Sequence, residues 1–164
     1  MDAYRAAIDK RDQRAFLPKP ISEDSLRRIL QAGRMTGSSK NREPNRFVVV
    51  RDHERLAAIA ALGRQARWAA AAAVVVVIVQ TDRHEFDAGR CAQNMMVAAC
   101  DEGIGSCPAH VAEPELGVLL GVPPDVHVNR LIAFGYIDPA RTTPPSSVAR
   151  RRIPLDKLRH DERW

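Results

Sequence analysis

A mixed α+β sandwich, with a small sheet between helices in one domain, is the fold that the 164-residue sequence predicts. Three observations carry it. The β-branched run at residues 74–79 shows no polar alternation, as a strand covered on both faces requires. Residues 87–102 repeat Ala88, Cys91, Ala92, Met95, Met96 and Ala99 at helical spacing, a face of small and adaptable side chains suited to close helix packing. Strand and helix patterns alternate along the chain, but only three or four strands accompany the long helices. That is too few for a long doubly wound sheet.

In chain order, residues 2–11 predict a short helix. Ser22 and Ser25 flank the next helix start. Glu23 and Asp24 complement its dipole in the first turn, and Leu26, Ile29, Leu30 and Gly33 follow at helical spacing to about Met35. Residues 47–51 predict a strand. Asp52 caps a helix over 53–62 that Gly63 ends. After the 74–79 strand and the 87–102 helix, Gly103 and Gly105 are expected to break the helix. A short strand, a helix over 113–120 and a strand over 130–137 should follow. From Asp138 the chain turns rich in Pro, Ser and Arg and has little to bury, so residues 138–164 should lie extended on another surface or stay mobile. Helix faces this apolar around so small a sheet point to burial against a second copy of the chain.

The hydrophobic fraction of 45% and charged fraction of 27% exclude wholesale disorder. The N-terminal MDAYRAAIDKRDQ lacks the apolar core of a signal peptide, and the apolar run at 68–79 falls short of the roughly 20 residues of a membrane span. Cys91, Cys100 and Cys107 are odd in number and show no paired metal spacing, which fits a reducing cytoplasmic setting. The net charge of +5 is consistent with a nucleic-acid surface, a pocket for a phosphorylated small molecule or a merely solvated basic face. Basic residues concentrate at Lys10, Arg11 and Arg14 and again at Arg150, Arg151 and Arg152. With 5% aromatic residues, a stacking platform for single strands is disfavoured.

Familiar catalytic sets are missing: no nucleophile elbow, no H-E-x-x-H, no Walker loop and no dinucleotide fingerprint after a strand. Cys107 and His110 have the spacing of half a zinc site without the other half, so no metal is expected. Anion-binding arginines, small polar loops and no acid–base set suit an enzyme whose cofactor performs the reaction.

Five segments in order, AIDKRDQRAF, GSSKNREPNRFVVV, DAGRCAQNMMVAACDEGIGSC, LGVPPDVHVNRLIAFGY and RRRIPL, make the chain resemble the FMN-dependent nitroreductase family. The resemblance implies a mainly antiparallel sheet in an α-β-α sandwich. It also implies an intertwined homodimer with flavin sites at the interface, and residues 138–164 packed on the partner. It assigns Lys10, Arg11 and Arg14 to the FMN phosphate, ribityl chain or pyrimidine edge. Asp12 would accept from ribityl hydroxyls, Arg150 and Arg152 would reach the same phosphate, and Arg67 would sit near the ring. Ser106, Pro108, Ala109 and His110, after Gly105, would form a loop against the isoalloxazine. Ser38, Ser39 and Asn41 would reach the flavin of the other subunit. The flavin carries the chemistry and no side chain need be catalytic. NADH or NADPH would reduce the flavin and a nitroaromatic, quinone or related acceptor would reoxidise it in ping-pong fashion, with no nucleic-acid or membrane partner. Lys10 stands where the family commonly has Arg, Asp12 where it has Ser, Gly37 where it has Pro, and Asn45 where it has Trp. Asp12, Gly37 and Asn45 keep open a second reading, a flavin-binding sensor or storage protein without turnover. A basic nucleic-acid-binding module is the third.

Overall fold

The strand at Val74–Gln80 is buried along its whole length, and in the computed structural model the sheet is built around it. The structure describes residues 2–142 and 152–164. In chain order the elements are α1 (Ala3–Asp9), α2 (Glu23–Arg34), β1 (Asn45–Val50), α3 (His53–Ala61), β2 (Val74–Gln80), α4 (Glu85–Asp101), β3 (Ile104–Ala109), α5 (Glu113–Leu120) and β4 (His127–Tyr136). Short 3₁₀ turns lie at Ser39–Asn41, Arg67–Ala71 and Leu155–Lys157. The strand order is β1-β2-β4-β3, and every pairing between these strands is antiparallel.

Alternate side chains of β2 feed two cores. Val74, Val76 and Ile78 pack with Leu26 and Ile29 of α2 and with the Ala/Cys/Met face of α4. Val75, Val77 and Val79 pack with Leu56 and Ile59 of α3, with Ala69 of the Arg67–Ala71 turn and with Leu116 of α5. Helices therefore cover both faces, which makes an α-β-α sandwich and explains why β2 reads as an unbroken apolar run. Burial of each such Val or Ile is worth about 1.5–3 kcal/mol.

The observed boundaries differ from the sequence expectations where hydrogen bonds, not periodicity, set them. β1 begins at Asn45, which pairs with Gln80, and β4 begins at His127, because a bulge between Ile78 and Val79 carries the pairing on to Val128 and His127. Gly105 does not help to end α4; Gly103, at φ +71°, does so. Gly105 lies inside β3 opposite Gly135 of β4. Ser106, Pro108 and Ala109 are accordingly strand residues rather than the loop expected.

Gln80 is fully buried yet fully satisfied. Its Nε2 donates to Asn45 Oδ1 (2.9 Å) and to His84 O (2.9 Å), while its Oε1 accepts from Asn129 Nδ2 (3.0 Å) and His84 N (3.2 Å). One amide thus ties β1, β4 and the start of α4 together, using both donors and both acceptor positions. Asn45 has a structural role here that its place in a motif did not reveal.

The chain after α1 closes the β3 side of the sheet. Asp12 forms a parallel bridge to Ser106 and Phe16 an antiparallel bridge to Ile137. Gln13 N donates to Ser106 O (2.9 Å), Leu17 N to Tyr136 O (2.8 Å) and Asp138 N to Ala15 O (3.1 Å). A Cβ on Gly135 would lie 2.8 Å from Phe16 Cγ, and one on Gly105 would lie 3.0 Å from Gln13 Cβ and 2.7 Å from Ile137 Cγ1. The glycine pair is what lets this segment come so close.

Gly135→Ala should therefore cost about 1–3 kcal/mol in chemical denaturation, since Phe16 and the backbone beside it must move. Asn45→Ala should cost about 1–2 kcal/mol by the same measurement, because it strips one acceptor from the buried Gln80 amide.

Candidate functional site

α1 stops at Asp9 because Lys10 turns extended (ψ 129°), and this turns the basic cluster toward the sheet edge. Lys10 has 8% side-chain exposure and its Nζ bonds the Asp12 carboxylate. Asp12 is the counter-ion that lets that ammonium be buried. Arg11 Nη1 donates to the carbonyls of Ile8 and Lys10 at the end of α1, while its Nε is buried with no hydrogen-bond partner. Arg14 points the other way. Its guanidinium lies 5.2 Å from the Trp68 ring centroid, in cation–π contact, and 4.0 Å from Asp12.

Two cavities meet at Asp12 and Arg14. The larger, about 650 Å³, is lined by Lys10, Arg11, Asp12, Arg14 and Arg152, with Ala7, Ile8 and Gln93 as its walls. The smaller, about 450 Å³, has Arg14, Arg67 and Arg141 around Trp68, Ala15 and Ala71. Five residues that the sequence proposed for one site, Lys10, Arg11, Asp12, Arg14 and Arg152, thus converge, and Arg67 joins them through Arg14. Arg150 lies outside the described residues.

On β3, Ser106 follows directly beside Asp12. It is 1% exposed and its Oγ has no hydrogen-bond partner. Pro108 is half-buried on the same strand face, whereas Ala109 points into the core under α3 and α5. His110 lies past the strand end and is exposed.

Ser38, Ser39 and Asn41 line neither basic cavity. They sit in a tight loop against the start of α4. Lys40 (φ 53°), Asn41 (φ 54°) and Glu43 (φ 50°) are all left-handed there, a conformation costly for non-glycine residues. The loop is held by Glu43 N donating to Ser38 Oγ (2.9 Å) and Ser39 N to the buried Asp87 Oδ2 (3.1 Å). Arg42 Nη1 adds a bond to Asp82 Oδ2 (2.9 Å).

Sequence reasoning missed Trp68, Gln93 and Arg141. Gln93 lies on the polar side of α4 and Arg141 in a segment read only by composition, so neither carried a local signal. Nothing in the cleft resembles a nucleophile or a metal centre. Burial pushes the Cys107 and Cys91 thiols up to about 11, and burial likewise raises Cys100. Among the described residues no three His, Cys, Asp or Glu side chains come together as metal ligands. Cations dominate the charged residues that line the two cavities.

A four-stranded antiparallel sheet between two helical layers, with a basic cleft at the β3 edge, defines a nitroreductase-fold protein. The chain belongs to the nitroreductase family, whose model matches residues 7–65 and 55–136. It is 29% identical over 148 residues to a protein of Archaeoglobus fulgidus that carries the provisional name NADH dehydrogenase/NAD(P)H nitroreductase. That match covers 82% of this chain and 85% of the relative. Solved structures that share the fold include two of nearly the same length. One is a provisionally named NADH dehydrogenase/NAD(P)H nitroreductase of Bacteroides thetaiotaomicron (TM-score 0.85, 23% identity, 97% of this chain and 98% of that one). The other is an FMN-dependent nitroreductase of Clostridium difficile (TM-score 0.85, 21% identity, 98% and 99%).

At pH 8 a thiol with a pKa near 11 is on the order of one part in a thousand thiolate. In the native protein Cys100 should react first with a disulfide reagent, and Cys91 and Cys107 only after denaturation. Rapid native labelling of Cys107, read by mass spectrometry, would contradict the burial described.

Proposed function

We propose that this chain is an FMN-dependent NAD(P)H oxidoreductase that reduces nitroaromatics, quinones or related small acceptors, working as a homodimer with shared flavin sites. The observation that carries the proposal is the larger cavity. Lys10, Arg11, Arg14 and Arg152 meet there, beside a buried Arg11 Nε–H with no acceptor. A ribityl phosphate is the ligand class that such a set fits: fixed cations, a guanidinium fork and an orphaned donor. The unpartnered Ser106 Oγ at the same sheet edge adds a hydroxyl for the flavin. The name of the Archaeoglobus relative and the FMN dependence of the Clostridium protein support the same reading.

When bound, FMN would supply the two-electron chemistry, accepting hydride at N5 from NADH or NADPH and releasing it to the acceptor in ping-pong order. The chain's own work is to bind and orient. Lys10, Arg11 and Arg152 would neutralise the phosphate, with Asp12 holding Lys10 and facing the ribityl hydroxyls. Arg14 and Arg67 would set positive charge near the pyrimidine edge, where it stabilises developing negative charge. Ser106 and Pro108, with the backbone at Ala109 and His110, would form the wall beside the ring. Ser38, Ser39 and Asn41 would act on the partner's flavin, which accounts for a strained loop pinned by Asp87 yet remote from the basic cavities of its own chain. The single domain would be completed by residues 138–164 lying on the other subunit. Three free thiols fit a cytoplasmic setting.

The test is spectroscopic. Protein purified from cells should carry a flavin spectrum that NADH or NADPH bleaches without oxygen and that a nitroaromatic or quinone restores. A colourless protein that also refuses added FMN would overturn the proposal. Flavin that binds but is never bleached would instead favour the non-catalytic reading. Arg14→Ala should weaken FMN retention about tenfold or more while changing the melting temperature little. Retention equal to wild type would remove Arg14 from the site.

A further inference from the structure

We propose that Asp87 is a positioning residue that acts in trans: its buried carboxylate fixes the Ser38–Glu43 loop in the shape that completes the flavin site of the partner subunit. The task of the loop at that flavin rests on the cofactor reading; the anchoring of the loop by Asp87 does not.

The first argument is where the carboxylate points. Asp87 is the third residue of α4, whose N-cap His84 makes no side-chain cap bond. An acid at this place commonly reaches back to the N-cap amide. Here Gln80 Oε1 already accepts from His84 N (3.2 Å), and Asp87 Oδ2 accepts instead from Ser39 N (3.1 Å), 48 residues earlier in the chain. Asp87 is 4% exposed, and among the described residues that bond is its only hydrogen bond or ion pair. A carboxylate is rarely buried without a cation beside it. The dipole at the start of α4 eases the charge, yet an exposed acid there would serve the helix equally well. The burial serves the loop.

The second argument is the loop itself. Lys40, Asn41 and Glu43 all hold a positive φ, while Ser39, Lys40 and Asn41 are exposed. Non-glycine residues keep that conformation only where their surroundings over-determine it. The groups that do so come from α4 and the turn before it. Asp87 holds Ser39 N, Asn94 Nδ2 donates to Thr36 Oγ1 (2.9 Å) and Asp82 Oδ2 accepts from Arg42 Nη1 (2.9 Å). The Asn94 and Asp82 bonds lie at the surface, where water competes for them; the Asp87 bond is the shielded one. None of this strain serves the basic cavities of the same chain, since Ser38, Ser39 and Asn41 line neither. An exposed loop held in an unfavourable shape is shaped for something outside its own chain.

The experiment is a complementation test on the full-length dimer, read by FMN titration. Asp87→Ala should weaken FMN binding about tenfold, and Asp87→Asn, which keeps an oxygen for Ser39 N, should recover most of it. Hydrogen exchange over residues 37–43 should quicken about tenfold in Asp87→Ala and stay near wild type in Asp87→Asn. Two differently tagged chains, Asp87→Ala and Arg14→Ala, are then co-expressed and the heterodimer is isolated through both tags. One of its sites combines the altered Arg14 with the altered loop, and the other joins wild-type cations to a wild-type loop. Half the flavin should therefore bind with wild-type affinity. A helix-capping or purely structural role for Asp87 would leave one lesion in each site, and both sites would be weak. That result overturns the proposal, as does unchanged exchange over residues 37–43 in Asp87→Ala. If wild type itself binds no FMN, the cofactor reading fails and the trans role falls with it. If wild type binds FMN and the heterodimer has no intact site, the role of Asp87 fails alone.

Discussion

The contact on which the site depends is the laying of residues 12–17 against β3 and β4 over the facing pair Gly105 and Gly135. Three backbone hydrogen bonds and two β-bridges hold the segment, and no side chain fits beneath it at either glycine. A cluster of cations on a free N-terminal arm would have no fixed geometry. Pinned to a sheet edge, the same residues become preorganised, and the cost of ordering them has been met during folding. Arg11 adds to this by closing the C-terminal end of α1, where a guanidinium also complements the negative end of the helix dipole.

Packing of like charges makes the arrangement expensive, and the structure offsets that cost locally. Asp12 lies between Lys10 and Arg14, so the least exposed ammonium has a partner and the stronger repulsions fall between better-solvated groups. The residue that departs from the family pattern by putting a carboxylate near the proposed phosphate site therefore has an internal task. Asn45, another departure, has one as well, since it completes the hydrogen bonding of buried Gln80. Sequence differences in a functional motif can be paired to core partners far away in the chain, here across 35 residues.

The elements with a strong internal period were readable in advance. β2 needed only its β-branched run and α4 its Ala/Cys/Met spacing, and each formed within about two residues of expectation. Readings failed where a partner elsewhere set the outcome. Gly105 looked like a helix terminator, but its neighbour across β4 is another glycine, and the pair serves a third segment. Ser106 looked like a loop serine and is instead a buried strand residue with an unused hydroxyl. Arg141 carried no signal at all, since its position beside Arg67 depends on where β4 ends.

Periodicity and short motifs alone therefore decided the sandwich, the family and the residue types available for holding an anion. Those properties are local or follow from which face of an element must be buried. Tertiary structure alone decided that the cations divide between two cavities joined at Arg14 and that the serine loop stands apart from both. It also decided that Asp12 and Asn45 are spoken for by Lys10 and Gln80. These outcomes turn on distances between residues far apart in the chain, which hydrogen-bond registry and close packing fix and no local pattern encodes.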